Sequence, residues 1–558
     1  MKMQAFRLKL SFLFDQRLLP ICTGIFLLGA AAKAQKLPAP FFDHIGDYHH
    51  RVTTRSSQAQ RYFDQGLTLC YAFNHKEAIR SFEAVTKLDP ACAMGHWGVA
   101  YAHGPHVNKP MTREENDRAW SAAQQALAGK AQASPKEQAF IEAIAKRYQA
   151  QFAEDRSSLD KAYADAMREV VKKYPDDLDA HTLFAEALMD TMPWDYWAKD
   201  RSPKPETEEA LAALRFVITR NADHPGANHF YIHAVEAGPN PELGLPSADR
   251  LANFTAQAGH LVHMPSHIYI RVGQYHDAVE ANERAVKADF SYIRHCRAQG
   301  FYPGVYYPHN LHFLWWAQMF EGRSADALRT ANKVIEYAQD KICGPTPVLE
   351  APRFRHLPWL IKARFGQWDD LLRLRQPAAT NDYLVDRVMW HFVRGLALVA
   401  RDQADDAARE HALLTKLVHS DEAKKLDNPH FPASSILLVA DHLLAGKVAE
   451  GRGEMTQAIA HLEDALSAEV SLPYMEPSYW PYPTRPTLGA TVLRAGDAPK
   501  AEQIFRDDLK RNPRNGWGLL GLEQSLRAQG KTESADLVRN EFEKAWKFSD
   551  VKLDLKYF

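Results

Sequence analysis

The sequence predicts an all-α solenoid of stacked antiparallel helix pairs. Three observations carry that expectation. A set of landmark residues recurs along most of the chain at a near-constant interval. No stretch shows sustained strand-type alternation closed by hairpin turns. The chain has 558 residues, 46% hydrophobic and 25% charged, too long for one compact core and ordinary for a folded protein.

The landmarks begin with Tyr62, Gly66, Ala78, Phe82 and Pro90. They read as large, small, small, aromatic and proline. Small residues let two helix axes approach, large ones fill the gap, and proline ends the second helix. The set returns at Gly273, Tyr275, Ala278 and Ala285, then at Gly322, Ala327 and Leu328. Gly395 and Ala407 mark another unit, and Gly446, Gly453, Ala458 and Ala465 the next. Gly489, Gly496, Ala501, Phe505 and Pro513 form a strong copy, followed by Gly530 and Ala535. Weaker units cover 91–125, 135–175, 178–215 and 352–376. Over most of residues 58–546 the pattern resembles the tetratricopeptide-repeat family. One unit cannot bury its own apolar face, so neighbours stack. The resemblance implies a right-handed superhelix whose concave groove is lined by positions 2, 5, 9, 12 and 13 of each first helix.

Ahead of the array, Lys2, Arg7, Lys9 and Arg17 precede an apolar run, Leu18–Ala32. Ala32-Lys33-Ala34 supplies small residues for cleavage before Gln35, so residues 1–34 read as a signal peptide of a periplasmic or secreted protein. An uncleaved anchor is the alternative. Past that point no run is long and apolar enough to span a membrane. The expected divisions are an extension at 35–57, N-terminal repeats at 58–220, a histidine-rich centre at 221–345 and C-terminal repeats at 346–558. The net charge of −1, from 68 basic and 69 acidic residues, lacks the basic excess of a nucleic-acid binder. Cys70, Cys92, Cys296 and Cys343 remain after cleavage, as packed thiols or as up to two disulfides.

The 25 histidines concentrate at the centre, in expected first helices. His229 and His233 are spaced i, i+4. His260, His263 and His267 follow, then His309 and His312. His229 to His263 and His233 to His267 are each one 34-residue period apart. His260 to His309 and His263 to His312 are each 49 apart, one period plus an insertion between 290 and 307. Residues three and four apart share a helix face. In the repeat's numbering these seven histidines take positions 2, 5 and 9. Glu236 extends the first stripe and Arg271 the second, while Glu186 and Asp190 fall near positions 9 and 13 of an earlier first helix.

Imidazoles at i and i+4 on one helix form the commonest two-point clamp for zinc, copper or iron. Seven exceed the need of one tetrahedral ion. The excess implies two ions, outer-shell partners or substrate contacts. Phe230 follows His229, which excludes the zinc-protease H-E-x-x-H motif. A hydrogen-bonded packing network or a polar groove for an acidic ligand are the competing readings. His44, His49 and His50 precede the array and read as solvated; His96, His103 and His106 read as local packing. Pro193–Trp197 reads as inter-repeat packing, a lid or a carbohydrate-like stacking surface. Two aromatic segments, 290–307 and 471–486, either floor a pocket or pack between repeats; Tyr479, Trp480, Tyr482 and Arg485 are the binding candidates of the second.

Nucleophile-elbow, phosphate-loop, dinucleotide, C-x-x-C and EF-hand motifs are absent. Three functions therefore stand. The first is a binding module taking a protein, peptide or small molecule in its groove, with a transition-metal site. The second is a metal-dependent hydrolase or oxidoreductase with Glu236 or Glu186 as general base. The third is an assembly scaffold of the envelope without metal.

Overall fold

Helix after helix forms because apolar residues recur at helical spacing. In His75–Leu88, Ala78, Ser81, Phe82 and Val85 fall on one buried face. Helix starts are capped where the sequence supplies a short polar side chain. Thr112 with Glu115, and Ser134 with Glu137, form capping boxes. The computed structural model describes residues 39–42, 45–254, 258–339, 354–380, 383–428, 431–482 and 484–558. The expected signal peptide, His44 and Cys343 lie outside the described residues.

Among the described residues the regular elements are helices, with a few isolated bridges and no strand. The N-terminal pairs are α1 (Ser57–Tyr71) with α2 (His75–Leu88), α3 (Ala93–Ala102) with α4 (Arg113–Gly129), α5 (Pro135–Ile144) with α6 (Ser157–Lys173), and α7 (Leu178–Asp190) with α8 (Pro205–Arg220). The central helices are α9 (Pro225–Glu236), α10 (Leu245–Ala252), α11 (Gly259–His263), α12 (Pro265–Val272), α13 (Tyr275–Cys296), α14 (Tyr307–Phe320) and α15 (Ser324–Gln339). Then follow α16 (Leu357–Arg364), α17 (Trp368–Leu372), α18 (Leu384–Val399), α19 (Ala404–Val418) and the short α20 (Asp421–Lys424). The C-terminal pairs are α21 (Ala433–Gly451) with α22 (Met455–Ser471), α23 (Thr484–Arg494) with α24 (Ala498–Arg511), and α25 (Gly516–Ala528) with α26 (Thr532–Ala545). This is an all-α solenoid of the tetratricopeptide type. Among the described residues no helix is long and apolar enough to cross a membrane.

Small landmarks permit close packing. A β-carbon on Gly66 would sit 2.7 Å from the Phe82 ring, and one on Gly98 would overlap the same ring. The turn between paired helices needs one residue in the left-handed region, supplied by Gly273, Gly322, Gly366, Gly453, Gly496 and Gly530. Pro265 has no N–H to give, and the helical hydrogen bonding of that unit splits there into α11 and α12. The inserted segment lengthens α13 and adds a π-helical turn, Tyr302–Tyr306, before α14.

Two segments fold back on the array. The extension is pinned by His50, which is buried rather than solvated. Its Nδ1 lies 2.6 Å from Asp179 Oδ2, and the Tyr71 hydroxyl donates to Asp179 Oδ1 at 2.6 Å. The Tyr48 hydroxyl also donates to Asp179. Burial of His50 opposes its charge, but Asp179 outweighs it and raises its pKa. His49 is exposed and pairs with Asp64. At the other end, Asp550 accepts from the Ser324 and Ala325 amides and caps α15. Cys70, Cys92 and Cys296 are free thiols.

The histidine-bearing first helices are interior. Every residue of α9 is buried, and every residue of α14 except His309. The α1–α2 turn packs against α9 from the N-terminal side. There the Tyr71 carbonyl meets His229. From the other side comes the 472–482 segment, whose Glu476 meets His267. The histidine face is therefore covered on two sides, unlike the open groove wall expected from the repeat.

Candidate metal centre

Six of the seven expected imidazoles converge. One triad is His229, His233 and His260; the second is His263, His267 and His309. Within each triad the available nitrogens lie no more than 4.8 Å apart. The triads adjoin one another, with ring centroids of His233 and His267 5.4 Å apart and those of His260 and His263 5.6 Å apart. A third grouping, His233, Glu236 and His267, links them.

Four of the six rings are oriented by an outer partner. A carbonyl only accepts, so His229 Nδ1–H donates to Tyr71 O at 2.6 Å. His233 Nδ1 lies 2.8 Å from Glu236 Oε1, and His267 Nδ1 lies 2.5 Å from Glu236 Oε2. His263 Nδ1 lies 2.7 Å from Asn282 Oδ1. Asn282 itself is held by donating to the Ala278 carbonyl, 2.7 Å away, which leaves its oxygen for the imidazole. Four Nδ1 atoms thus carry a proton, and the Nε2 edges of those four rings point inward. His229 Nε2, His233 Nε2 and both nitrogens of His260 have no hydrogen-bond partner despite full burial. Buried polar atoms ordinarily find one.

In the second triad His263 Nε2 and His267 Nε2 are 2.9 Å apart, and His309 Nε2 is 3.4 Å from His267 Nε2. Burial opposes charge on His267. The Glu236 and Glu476 carboxylates outweigh it and raise its pKa to about 9. His267 thus holds a second proton, donated from Nε2 to His263 Nε2. Burial pushes His229, His233, His260, His263 and His309 well below the usual imidazole range, and the neighbouring imidazoles push the same way. These five are neutral bases, the form that binds a metal.

The rest of the wall is aromatic. Phe73, Tyr306, Phe313 and Trp194 each lie against a histidine ring. Trp194 belongs to the Pro193–Trp197 segment and is part-exposed at the rim, its Nε1 donating to Asn108. Tyr302 and Tyr306, from the first aromatic segment, floor the centre. The Tyr302 hydroxyl accepts from the His260 amide and donates to Asp289.

Arg271 is at the site, donating to the Glu236 carbonyl at 2.5 Å and facing Glu476 at 3.5 Å. Other expected site residues are elsewhere. His312 shares the spacing of His263 but follows His309 by three residues. That step turns it toward the next unit, where it meets Phe354 edge-on while stacking on Trp315 of its own helix. Glu186 and Asp190 face the N-terminal repeats. Arg147 Nη2 donates to Asp190 Oδ2 at 2.5 Å, and burial raises the Glu186 pKa to about 7 against the pull of Arg147. Glu186 is therefore no base for this centre. Trp480 and Tyr482 pack on Phe392, Tyr479 lines a small apolar cavity with His312 and His356, and Arg485 lies near Asp507 and Asp508.

The same 471–486 segment contributes Glu476 and Tyr474 instead, neither of them among the binding candidates expected from it. Glu476 Oε2 is 3.3 Å from His267 Nδ1, and the Arg271 guanidinium lies 5.6 Å from the Tyr474 ring centre. His106, expected as local packing, packs against this wall. It stacks on His75 at 4.3 Å, and both stack on Phe73. Nothing in the spacing of His75 or Asn282 marked them. A separate, part-exposed group, His442, His461 and Asp464, lies on α21 and α22.

No family model matches the chain, and no curated protein matches it. Solved structures share its general build at a distance. A human IFIT1 dimer with m7Gppp-AAAA is 12% identical with a TM-score of 0.31, covering 88% of this chain and 91% of that one. The Cut9–Hcn1 APC/C hetero-tetramer is 12% identical with a TM-score of 0.33, covering 89% and 81%. The P58(IPK) TPR domain is 13% identical with a TM-score of 0.21, covering 86% and 99%. Likeness at this level transfers no ligand and no activity.

Proposed function

We propose that this chain is a transition-metal-binding solenoid holding two ions in adjacent all-imidazole triads. The observation that carries the proposal is the pairing of buried Nε2 lone pairs with fixed outer acceptors. Tyr71 O, Glu236 and Asn282 hold the Nδ1 protons of four rings. Such partners fix the tautomer and raise ligand basicity at metal sites. A packing network would instead spend those nitrogens on one another, and His229, His233 and His260 do not.

The geometry fits. Two nitrogens at about 2.0–2.1 Å from a tetrahedral ion stand roughly 3.3–3.4 Å apart, and His267 and His309 are 3.4 Å apart. An ion in the second triad replaces the proton between His263 and His267. Neutral imidazoles suit zinc, copper and iron. Ligand binding by the fold at large then centres on metal, held between the N-terminal turn and the C-terminal segment.

The test is elemental mass spectrometry on untagged protein, with a His263→Ala, His267→Ala variant. About two ions per chain, falling to about one in the variant with the helical signal intact, is the expected result. No ion after reconstitution with zinc, copper and iron would overturn the proposal.

A further inference from the structure

We propose that Phe73 is a positioning residue of the first triad, kept in a strained backbone so that its ring seals His229, His233 and His260 from water and from His75 and His106. The argument starts from the repeat. The turn between paired helices places its left-handed residue five positions before the small landmark of the second helix. Gly273, Gly322, Gly453, Gly496 and Gly530 stand there, five before Ala278, Ala327, Ala458, Ala501 and Ala535. Phe73 stands five before Ala78, with φ +54°. Asp402, before Ala407, is the other side-chain-bearing residue of this set, and short polar side chains tolerate the region. A bulky aromatic does not, and glycine would satisfy this turn as it does the others.

The side chain must therefore serve something besides the turn. Its ring is buried at 3% exposure and centres a set of imidazoles. His229 lies edge-on at 4.5 Å, while His233 and His260 lie near-parallel at 5.8 and 5.4 Å. On the α2 and α3 side, His106 stacks at 5.0 Å and His75 at 5.9 Å. Phe73 is the ring that touches both sets. His75 is part-exposed and His106 is buried behind it, so His75 is the water-facing member of this pair. Two further imidazoles beside a three-imidazole site would compete for its ion. A non-coordinating ring between them holds the coordination at three and keeps the site dry. Backbone strain retained at a site is a known mark of function.

The first arm of the test needs no metal. Chelator-treated full-length protein is modified with diethyl pyrocarbonate, and each histidine is read by mass spectrometry. In Phe73→Gly, His229, His233 and His260 should react at least about ten times faster than in wild type, while His263, His267 and His309 keep their rates. Phe73→Leu, which keeps an apolar side chain in the same turn, should stay within about threefold, and it carries the test if Phe73→Gly does not fold. The second arm rests on the metal reading. Cobalt loaded into a His263→Ala, His267→Ala background should leave faster and show an altered visible spectrum when Phe73→Gly is added, and His75→Ala with His106→Ala should reverse the spectral change. Unchanged modification rates in a folded Phe73→Gly protein, or full exposure in Phe73→Leu, would overturn the proposal. Protection without any cobalt uptake would sink the metal reading and leave the sealing role standing.

Discussion

Glu236 is the most informative side chain to change, because one carboxylate serves both triads. Its Oε1 faces His233 Nδ1 at 2.8 Å and its Oε2 faces His267 Nδ1 at 2.5 Å. Glu236→Gln keeps the shape and one oxygen. The amide nitrogen can only donate, so one imidazole loses its acceptor. That ring then gains by moving its proton to Nε2, where the lone pair for the ion would be. Loss of an outer-shell partner typically costs 10- to 100-fold in metal affinity, or about 1.4–2.8 kcal/mol at 1.4 kcal/mol per decade. The assay is competition with a chromophoric zinc chelator, which resolves two binding steps. Glu236→Gln should weaken at least one step by that factor. Asn282→Leu removes the acceptor of His263 alone, so it should weaken one step and spare the other. Affinities within twofold of wild type in Glu236→Gln would refute the role assigned to the outer partners.

Three further changes probe the frame. Gly226→Ala would place a β-carbon 2.5 Å from the Tyr71 ring. Tyr71 is fixed by Asp179 and holds His229, so overpacking should cost about 1–3 kcal/mol in chemical denaturation and loosen the first triad; an unchanged melt would contradict the close approach. Arg147→Ala strands Glu186 and Asp190 in the interior and should cost about 3–5 kcal/mol, read by urea unfolding, with a loss below about 1 kcal/mol counting against the buried pair. His50 supplies the pH dependence. Its pKa is raised in the fold, facing Asp179 and Asp177 with Lys136 opposing. Its contribution is fully present below the unfolded value of 6.5 and is lost as pH rises through the folded value. Asp179 is held low despite its burial, chiefly by His50 and His224, so its own contribution fades only in strong acid. The stability gap between wild type and His50→Gln should therefore be wide at pH 6 and narrow at pH 9; a constant gap would refute the linkage.

The repeat was legible because its physics is local. Small residues at fixed positions, a proline after the second helix and a turn residue every period are written into neighbouring positions of the chain. The same locality made six histidines legible. Helical spacing fixes which residues share a face, and the period fixes which faces are stacked, so His229 with His263 and His233 with His267 could be paired without coordinates. His312 failed on a finer matter. The period says which helix a residue belongs to, but a three-residue step along α14 decides which neighbour it meets. His309 meets the unit before it, and His312 the unit after it.

What closes the centre could not be read from spacing. Tyr71 and Glu476 are about 400 positions apart and arrive from opposite ends of the array, Tyr71 at the end of a regular repeat helix and Glu476 through a segment that breaks the repeat. The one local signal was available at Phe73. Aligned on the alanine landmarks, it is the aromatic residue in a column of glycines. The substitution is unfavourable for the turn itself, by about 1–2 kcal/mol for a left-handed residue with a side chain. A sequence that places a bulky ring there in one repeat, where five others have glycine and one the short polar Asp402, marks the place where a tertiary demand overrides the local one. In this chain that place is beside the histidines, and a scan for side chains in glycine columns would have found the N-terminal wall of the centre before any coordinates did. It would not have found Glu476. No rule of the repeat governs the segment that carries it, so only tertiary packing decides that Glu476 faces His267 while Tyr479 and Trp480, three and four residues on, face the C-terminal repeats.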